Sequence, residues 1–296
     1  MKTYSGFAIV VSFFGLWMDS YFSTKIQVIS GFLLILSFGI LHGANDLQLI
    51  NKIDVVKHKN SALRILVYYI VVVLMGILLF YIFPLAALLS FIVVSAYHFG
   101  EQQWQKLSNT LPMWSLILYQ FLYGFTVLFL LFVFNWNQVQ NIIFNITKFK
   151  IPVGYFLESL KVSGIAYICL SSYLYMKILK IRKKILLELF HLIVFTIIFK
   201  SSSLIWGFAI YFVVWHSIPS IIDQIKFLDG TVSKENFLSY CKAAGVYWFV
   251  SMLGITFIYI VFKEEQLFNA VFFSFLAAIT FPHAFVITKM FGKKNN

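Results

Sequence analysis

The chain has 296 residues, of which 61% are hydrophobic and 11% are charged, whereas soluble domains are nearer half apolar and a quarter charged. This composition excludes a soluble globular protein and predicts one integral membrane domain over residues 1–296. The net charge of +12 would favour nucleic acid in a soluble protein, but basic residues collect in the cytoplasmic loops of membrane proteins. We therefore expect membrane lipid around the chain and no nucleic-acid partner.

Membrane spans can be predicted from apolar runs, because a transmembrane helix needs about 20 mostly apolar residues. Ten segments meet this length, and the first and seventh are the weakest, so the sequence predicts an all-α bundle of about ten, or eight to ten, transmembrane helices. The segments are 5–22, 26–48, 64–82, 84–103, 113–134, 155–178, 185–200, 203–225, 243–262 and 267–290.

The distribution of lysine and arginine predicts the topology. Basic residues cluster after the second, sixth and eighth segments and at the C-terminus. The positive-inside rule places these stretches in the cytoplasm. Both termini are then cytoplasmic, which agrees with an even number of spans.

Four histidines lie within or at the ends of these apolar runs: His42, His98, His216 and His283. An ionisable ring in a bilayer is costly, so it marks a candidate functional site. They fall on the second, fourth, eighth and tenth spans, which all run inwards in this topology. Each lies roughly 5–10 residues before the cytoplasmic end, or about 8–15 Å along the axis. A shared depth predicts one metal site.

Polar residues accompany these histidines at helical spacing. Residues four apart share a helix face, which pairs Asp46 with His42. Glu101 follows His98 by three positions, and Ser220 and Asp223 follow His216 by four and seven. A metal-ligating histidine usually donates its other N–H to a carboxylate or carbonyl. We expect these side chains to hold the ligands in place, the alternative being hydrogen bonds near helix ends.

His191 is a fifth candidate, because Glu188 precedes it by three residues and a Glu-x-x-His pattern occurs at metal sites in helix bundles. The pair is predicted either to add a ligand or to form a structural contact. His58 lies in a basic loop and is expected to be solvated.

The donor set limits the metal. Cys169 and Cys241 form no CxxC pair, which argues against a thiolate site. Imidazole-rich sites suit iron, copper, zinc or nickel, and open positions beside four histidines fit oxygen chemistry at a mononuclear iron. Haem with two axial histidines is the main competitor. A transporter would show broken helices and an inverted repeat, and the sequence indicates neither.

Aromatic residues, prolines and glycines give further predictions. Aromatic residues make up 20% of the chain, which fits either a tunnel for a long apolar ligand or packing against lipid. Pro219 and Pro282, next to candidate ligands, are predicted to kink their helices. Six glycines are predicted to allow close helix approach: Gly43, Gly100, Gly124, Gly164, Gly207 and Gly254.

The four histidine segments resemble, in order, the signatures of a known family. HGAND at His42, SAYHFGEQQW at His98, YFVVWHSIPS at His216 and TFPHAFVI at His283 resemble those of the Brp/Blh family, the bacterial and archaeal membrane β-carotene 15,15′-dioxygenases. Many members carry a further histidine four residues after the third-motif histidine, and this chain has Ser220 there.

The resemblance implies an Fe(II) enzyme that adds O₂ across the central double bond of β-carotene and releases two molecules of retinal. It implies His42, His98 and His216 as iron ligands, with His283 or His191 as the fourth, or three histidines and water. We favour His283 because of its depth. It also implies the inner membrane of a bacterium and a retinal-binding rhodopsin as a downstream partner. The alternatives are a haem protein, a non-enzymatic carotenoid or retinal carrier, and a member that has lost activity.

Overall fold

The structure is a computed structural model that describes residues 2–53, 61–107, 110–261 and 265–294. These residues contain helices and turns and no strand, which confirms the all-α prediction; His58 lies outside them. The α-helices are α1 (Lys2–Asp19), α2 (Thr24–Leu34), α3 (Ile40–Gly43), α4 (Asp46–Ile53), α5 (Ser61–Ile82), α6 (Pro84–Trp104), α7 (Met113–Phe134), α8 (Trp136–Thr147), α9 (Val153–Lys177), α10 (Arg182–Ser201), α11 (Leu204–Ile210), α12 (Ile218–Asp229), α13 (Lys234–Val261) and α14 (Glu265–Lys294).

Two of the long apolar helices are not regular α-helix throughout. A π-helix at Ile35–Gly39 joins α2 to α3, and a longer one at Tyr211–Ser217 joins α11 to α12. A turn at Ala44 and Asn45 then separates α3 from α4. The sequence did not indicate these departures from regular α-helix, although each stretch remains one candidate span, Thr24–Ile53 and Leu204–Asp229. The irregular backbone occurs immediately before His42 and around His216.

Seven helical stretches within the described residues are long and apolar enough to cross a membrane, as expected of an integral membrane protein. They are Thr24–Ile53, Pro84–Trp104, Met113–Phe134, Val153–Lys177, Leu204–Asp229, Lys234–Val261 and Ala270–Lys293. Two predicted spans coincide with shorter apolar helices, Tyr4–Asp19 and Leu66–Ile82. The remaining predicted span, 185–200, lies in α10, which is not among the seven. Ten spans and cytoplasmic termini stay predictions.

One helix was missed by the search for apolar runs. Helix α8 has the sequence WNQVQNIIFNIT and falls between two predicted spans. Its polar residues interrupt the apolar ones at helical spacing, so it is amphipathic rather than uniformly apolar.

By its contacts the chain divides into two compact units. The first comprises Met1–Ile35, Ala96–Gln140 and Ile151–His216. Its core is the packing of α7 on α9 and α10, with α11 against α2. At Gly100 an added Cβ would lie 1.7 Å from the carbonyl oxygen of Gln120, and at Gly124 it would lie 1.8 Å from that of Ala96. Helices α6 and α7 therefore cross with their backbones in contact.

The second unit comprises Leu36–Ser95, Asn141–Lys150 and Ser217–Asn296. In this unit α14 packs on α5 and α4, and α13 packs on α3. One buried cluster joins α4 to α14 through Leu49, Val286, Ile287, Met290 and Phe291. A second joins α12 to α13 through Ile221, Ile225 and Tyr240. Both clusters pack beside segments that carry candidate ligands.

Large apolar side chains also cover the outside of the helices. Leu74 on α5, Val162 on α9 and Phe257 on α13 are all more than half exposed. Exposed apolar surface of this extent is what lipid contact requires of a membrane-spanning helix. The two prolines next to candidate ligands lie differently: Pro219 is in the first turn of α12, whereas Pro282 lies inside α14.

Candidate metal centre

His42 and His283 form a buried pair in the second unit. Their ring centroids are 4.7 Å apart and the ring planes are nearly perpendicular, at 84°. The side chains are 4% exposed in both cases. His42 comes from α3, just after the π-helix, and His283 follows Pro282 on α14. Two imidazoles that lie 241 positions apart in the sequence thus meet within one unit.

Asp46 holds His283. The Nδ1 atom of His283 lies 2.9 Å from Oδ1 and 3.1 Å from Oδ2 of this carboxylate. The hydroxyl of Tyr69 donates to Oδ2 at 3.0 Å. An ionised carboxylate can only accept hydrogen bonds, so Nδ1 of His283 is the donor, and in a neutral imidazole the lone pair is then on Nε2. This is the arrangement by which a carboxylate orients a metal-ligating histidine.

The backbone at His42 is held by side chains of α12 and α13. Gln224, which is fully buried, donates from Nε2 to the carbonyl oxygen of His42 at 2.7 Å, and its Oε1 accepts from the Tyr240 hydroxyl at 2.8 Å. Trp248 donates from Nε1 to the carbonyl oxygens of Leu36 and Ser37. A π-helix departs from the regular i→i+4 ladder, and these donors supply hydrogen bonds to its carbonyl groups and those of the next turn.

His98 and His216 form the corresponding pair in the first unit. Their ring centroids are 4.8 Å apart with the planes at 79°, and both side chains are buried. The ring of Phe99 meets that of His216 edge to face at 4.7 Å, and the ring of Phe212 stacks on it at 5.5 Å. Gln102 donates from Nε2 to the carbonyl oxygen of His216 at 2.9 Å. A glutamine therefore binds the backbone of one histidine in each pair.

Glu188 and His191 belong to a separate buried network in the first unit. The Nδ1 atom of His191 lies 3.0 Å from Oε2 of Glu188. The same carboxylate accepts hydrogen bonds from Gln103 and from the hydroxyl of Tyr123. The ring of His191 packs edge to face on Trp215 at 4.8 Å. These partners indicate that the Glu188–His191 pair is a structural contact, which holds Trp215 next to His216.

The other predicted side chains have partners of their own. Glu101 is buried and accepts from the hydroxyl of Tyr97 at 3.0 Å. Ser220 is buried and accepts from Gln224 at 3.1 Å. Asp223 is half-buried on α12. The sequence paired Asp46 with His42, and in the structure the Asp46 carboxylate contacts Nδ1 of His283 and the hydroxyl of Tyr69, partners that helical spacing could not indicate.

Several residues around the His42–His283 pair were missed from the sequence. Gln224, Tyr69 and Tyr240 hold the backbone of His42 or the carboxylate of Asp46, and Asn45 donates to the carbonyl oxygen of Tyr240 at 3.0 Å. A signal was present for Gln224, because an amide inside an apolar run needs hydrogen-bond partners. The tyrosines carried no such signal among 16 tyrosines in the chain.

The chemistry of the donors fits a non-haem metal. Each unit supplies one closely spaced pair of buried imidazoles, and neither cysteine is buried: Cys169 is exposed and Cys241 is partly exposed. Imidazole donors without thiolate suit iron, copper or zinc. The histidines lie six to thirteen residues before the C-terminal ends of their candidate spans, a wider range than the sequence predicted.

Fold and site together define an all-helical integral membrane protein with buried histidine pairs. The family model of β-carotene 15,15′-dioxygenase matches residues 33–291, a stretch that includes all four candidate ligands. The chain therefore belongs to the β-carotene 15,15′-dioxygenase family, as its motifs predicted. Comparison with curated proteins and with solved structures found no similar chain.

Proposed function

We propose that the protein cleaves the central 15,15′ double bond of β-carotene with O₂ and releases two molecules of all-trans-retinal. The observation that carries the proposal is the presence of two buried histidine pairs, on four motifs in the family's order, in a chain that the family model matches over 33–291. The reaction balances without a further reductant: one C=C bond and the O–O bond are broken, and each half of the polyene receives one oxygen atom as an aldehyde.

We further propose that His42, His98, His216 and His283 are the ligands of one Fe(II) ion in a single membrane domain. Support comes from the burial of all four rings and from the Asp46–His283 contact, which leaves Nε2 of His283 as the ligand atom. Bound iron would supply the activation of O₂. Three roles fall to the protein: holding the imidazoles, orienting the polyene and excluding water.

Each histidine pair has its own means of fixing ring orientation. Asp46 sets the tautomer of His283, and Gln224 binds the backbone of His42. Phe99 and Phe212 pack on His216, whose backbone is bound by Gln102. Such supports keep ligands from reorienting, and their loss typically weakens metal binding by about 10–100-fold. Glu188 and His191 lie within a network of hydrogen bonds that favours a structural role, so we favour His283 as the fourth ligand.

The proposal can be tested in carotene-producing cells. We expect His98→Ala and His216→Ala to abolish retinal formation, measured by chromatography, while the protein still accumulates in the membrane. The purified variants should also lose iron, measured by metal analysis. His58→Ala, outside the apolar runs of the sequence, is the matched control and should retain both. Full retinal formation in either of the first two variants would refute the iron assignment.

The same measurements separate the alternatives. A haem protein would show a Soret band after purification, which a non-haem centre lacks. A carotenoid or retinal carrier would bind the polyene and give no O₂-dependent product. Ten spans with both termini in the cytoplasm, a bacterial inner membrane and a downstream rhodopsin remain parts of the proposal that follow from the charge pattern and the resemblance.

A further inference from the structure

A groove lies between α9 and α10, at the C-terminal end of the candidate span Val153–Lys177. It has a volume of about 260 Å³. Side chains of both helices line it, and they are mostly apolar with a few hydroxyl groups: Ser172, Tyr175, Met176, Ile185, Leu186 and Leu189. Met176 is 67% exposed and Leu186 is 55% exposed, so the groove opens outwards rather than into the buried histidine pairs.

The chain between the α9 and α10 residues that line the groove is strongly basic. Lys177, Lys180 and Lys183 are exposed in and beside the short connection between α9 and α10. No acidic residue occurs between Glu158 and Glu188 in the sequence, and Glu188 is buried. Within the described ranges, no carboxylate forms an ion pair with these three lysines. Three positive charges therefore face the surroundings without compensation.

Arg182 connects this basic segment to the apolar lining. Its Nε atom donates to the carbonyl oxygen of Tyr175 at 2.7 Å, and its guanidinium group lies 4.9 Å from the centre of the Tyr175 ring. Tyr175 lines the groove. The Arg182 guanidinium group is therefore held beside a residue that lines the groove. Lys184 points inwards by comparison, because it donates to the carbonyl oxygen of Gln103.

We propose that the groove binds an anionic diacyl phospholipid, with an acyl chain along the apolar lining and the headgroup phosphate at Lys177, Lys180 and Lys183. Basic pockets beside transmembrane helices bind anionic headgroups. A neutral polyene would make no use of the lysines. The site is independent of the proposed carotene chemistry, since neither histidine pair contributes to it.

Lipid binding to the purified, delipidated full-length protein tests the proposal, for example by native mass spectrometry with phosphatidylglycerol and phosphatidylcholine. Each basic residue near an anionic surface is worth a factor of about five in binding. We therefore expect phosphatidylglycerol to bind at least about tenfold more tightly than phosphatidylcholine. Exchanging all three lysines for glutamine should remove this preference.

A matched control removes the same charge elsewhere. Lys226→Gln, Lys234→Gln and Lys242→Gln also change three exposed lysines and should leave the lipid preference unchanged. Ser172→Phe fills the groove with its ring and should weaken phosphatidylglycerol binding without unfolding, because Ser172 is exposed.

Three results would overturn the proposal. Equal binding of phosphatidylglycerol and phosphatidylcholine would show that the lysines do not select the lipid. An equal loss of the preference for phosphatidylglycerol in both triple variants would show that only the net charge of the protein matters. Competition by glycerophosphate as strong as that by the diacyl lipid would identify a phosphate site that does not use the groove.

Discussion

Replacing Gly100 by alanine should force α6 and α7 apart. The added Cβ would lie 1.7 Å from the carbonyl oxygen of Gln120, and real Cβ atoms essentially never approach within 3.0 Å. The obstacle is backbone and not a flexible side chain, so one helix must move by at least 1.3 Å, the difference between these two distances. Overpacking of this kind costs about 1–3 kcal/mol, more than the 0.5–1 kcal/mol that alanine gains over glycine in a helix.

The assay is the free energy of unfolding of the purified protein in detergent, with retinal formation measured in parallel. Gly100 lies two residues after His98, and a displacement of about 1 Å near reacting groups can cost about 100-fold in rate. Gly164→Ala is the control, since its Cβ would meet only the Thr126 methyl group at 4.0 Å. The control should be as stable as the wild type or slightly more so.

The close crossing of α6 and α7 also predicts how two substitutions combine. At Gly124 an added Cβ would lie 1.8 Å from the carbonyl oxygen of Ala96, at the same crossing. Once the helices separate, both alanines gain room, so the double variant should lose less stability than the two single losses together. If Gly100→Ala unfolds with the same free energy as Gly164→Ala, the helices do not cross as described.

Three further predictions concern the polar surroundings. Asp46→Asn should weaken iron binding by about 10–100-fold, because His283 loses its anionic partner; iron content titrated against added Fe(II) measures this, and unchanged affinity would contradict the contact. Gln224→Ala should cost about 1–3 kcal/mol of unfolding free energy, since it removes a buried donor from the carbonyl group of His42; a loss below 0.5 kcal/mol would show that the bond contributes little. Glu188→Gln should lower stability but leave iron content unchanged, and loss of iron would instead make the Glu188 network part of the metal site.

The sequence was sufficient for features that depend on local pattern. The apolar runs indicated the long helices, and each candidate ligand was visible as a polar exception within such a run. Gly100 and Gly124 were predicted to allow close helix approach, and both lie at the crossing of α6 and α7. Gly254 was included in the same prediction, but a Cβ there would meet nothing within 4 Å. A glycine in an apolar run does not by itself say whether another helix touches it.

Features that depend on distant residues were not accessible from the sequence. The rule that residues four apart share a face assumes a continuous α-helix, and the turn at Ala44 and Asn45 interrupts the helix between His42 and Asp46. The partner found for Asp46 is His283, 237 positions away. Helix α8 was missed because a search for uniformly apolar segments does not detect an amphipathic helix.

The direction of the His42 ring depends on the number of residues in the π-helix at Ile35–Gly39. Such a segment acts as one extra residue in an α-helix, and each residue turns an α-helix by about 100°. Deleting Leu36 would restore a regular helix and swing His42 by about that angle away from His283, although every side chain of the pair would remain. Apolar exchanges at Leu36 should be tolerated, because the bond from Trp248 reaches its backbone oxygen. At this position the length of the chain is more constrained than its identity.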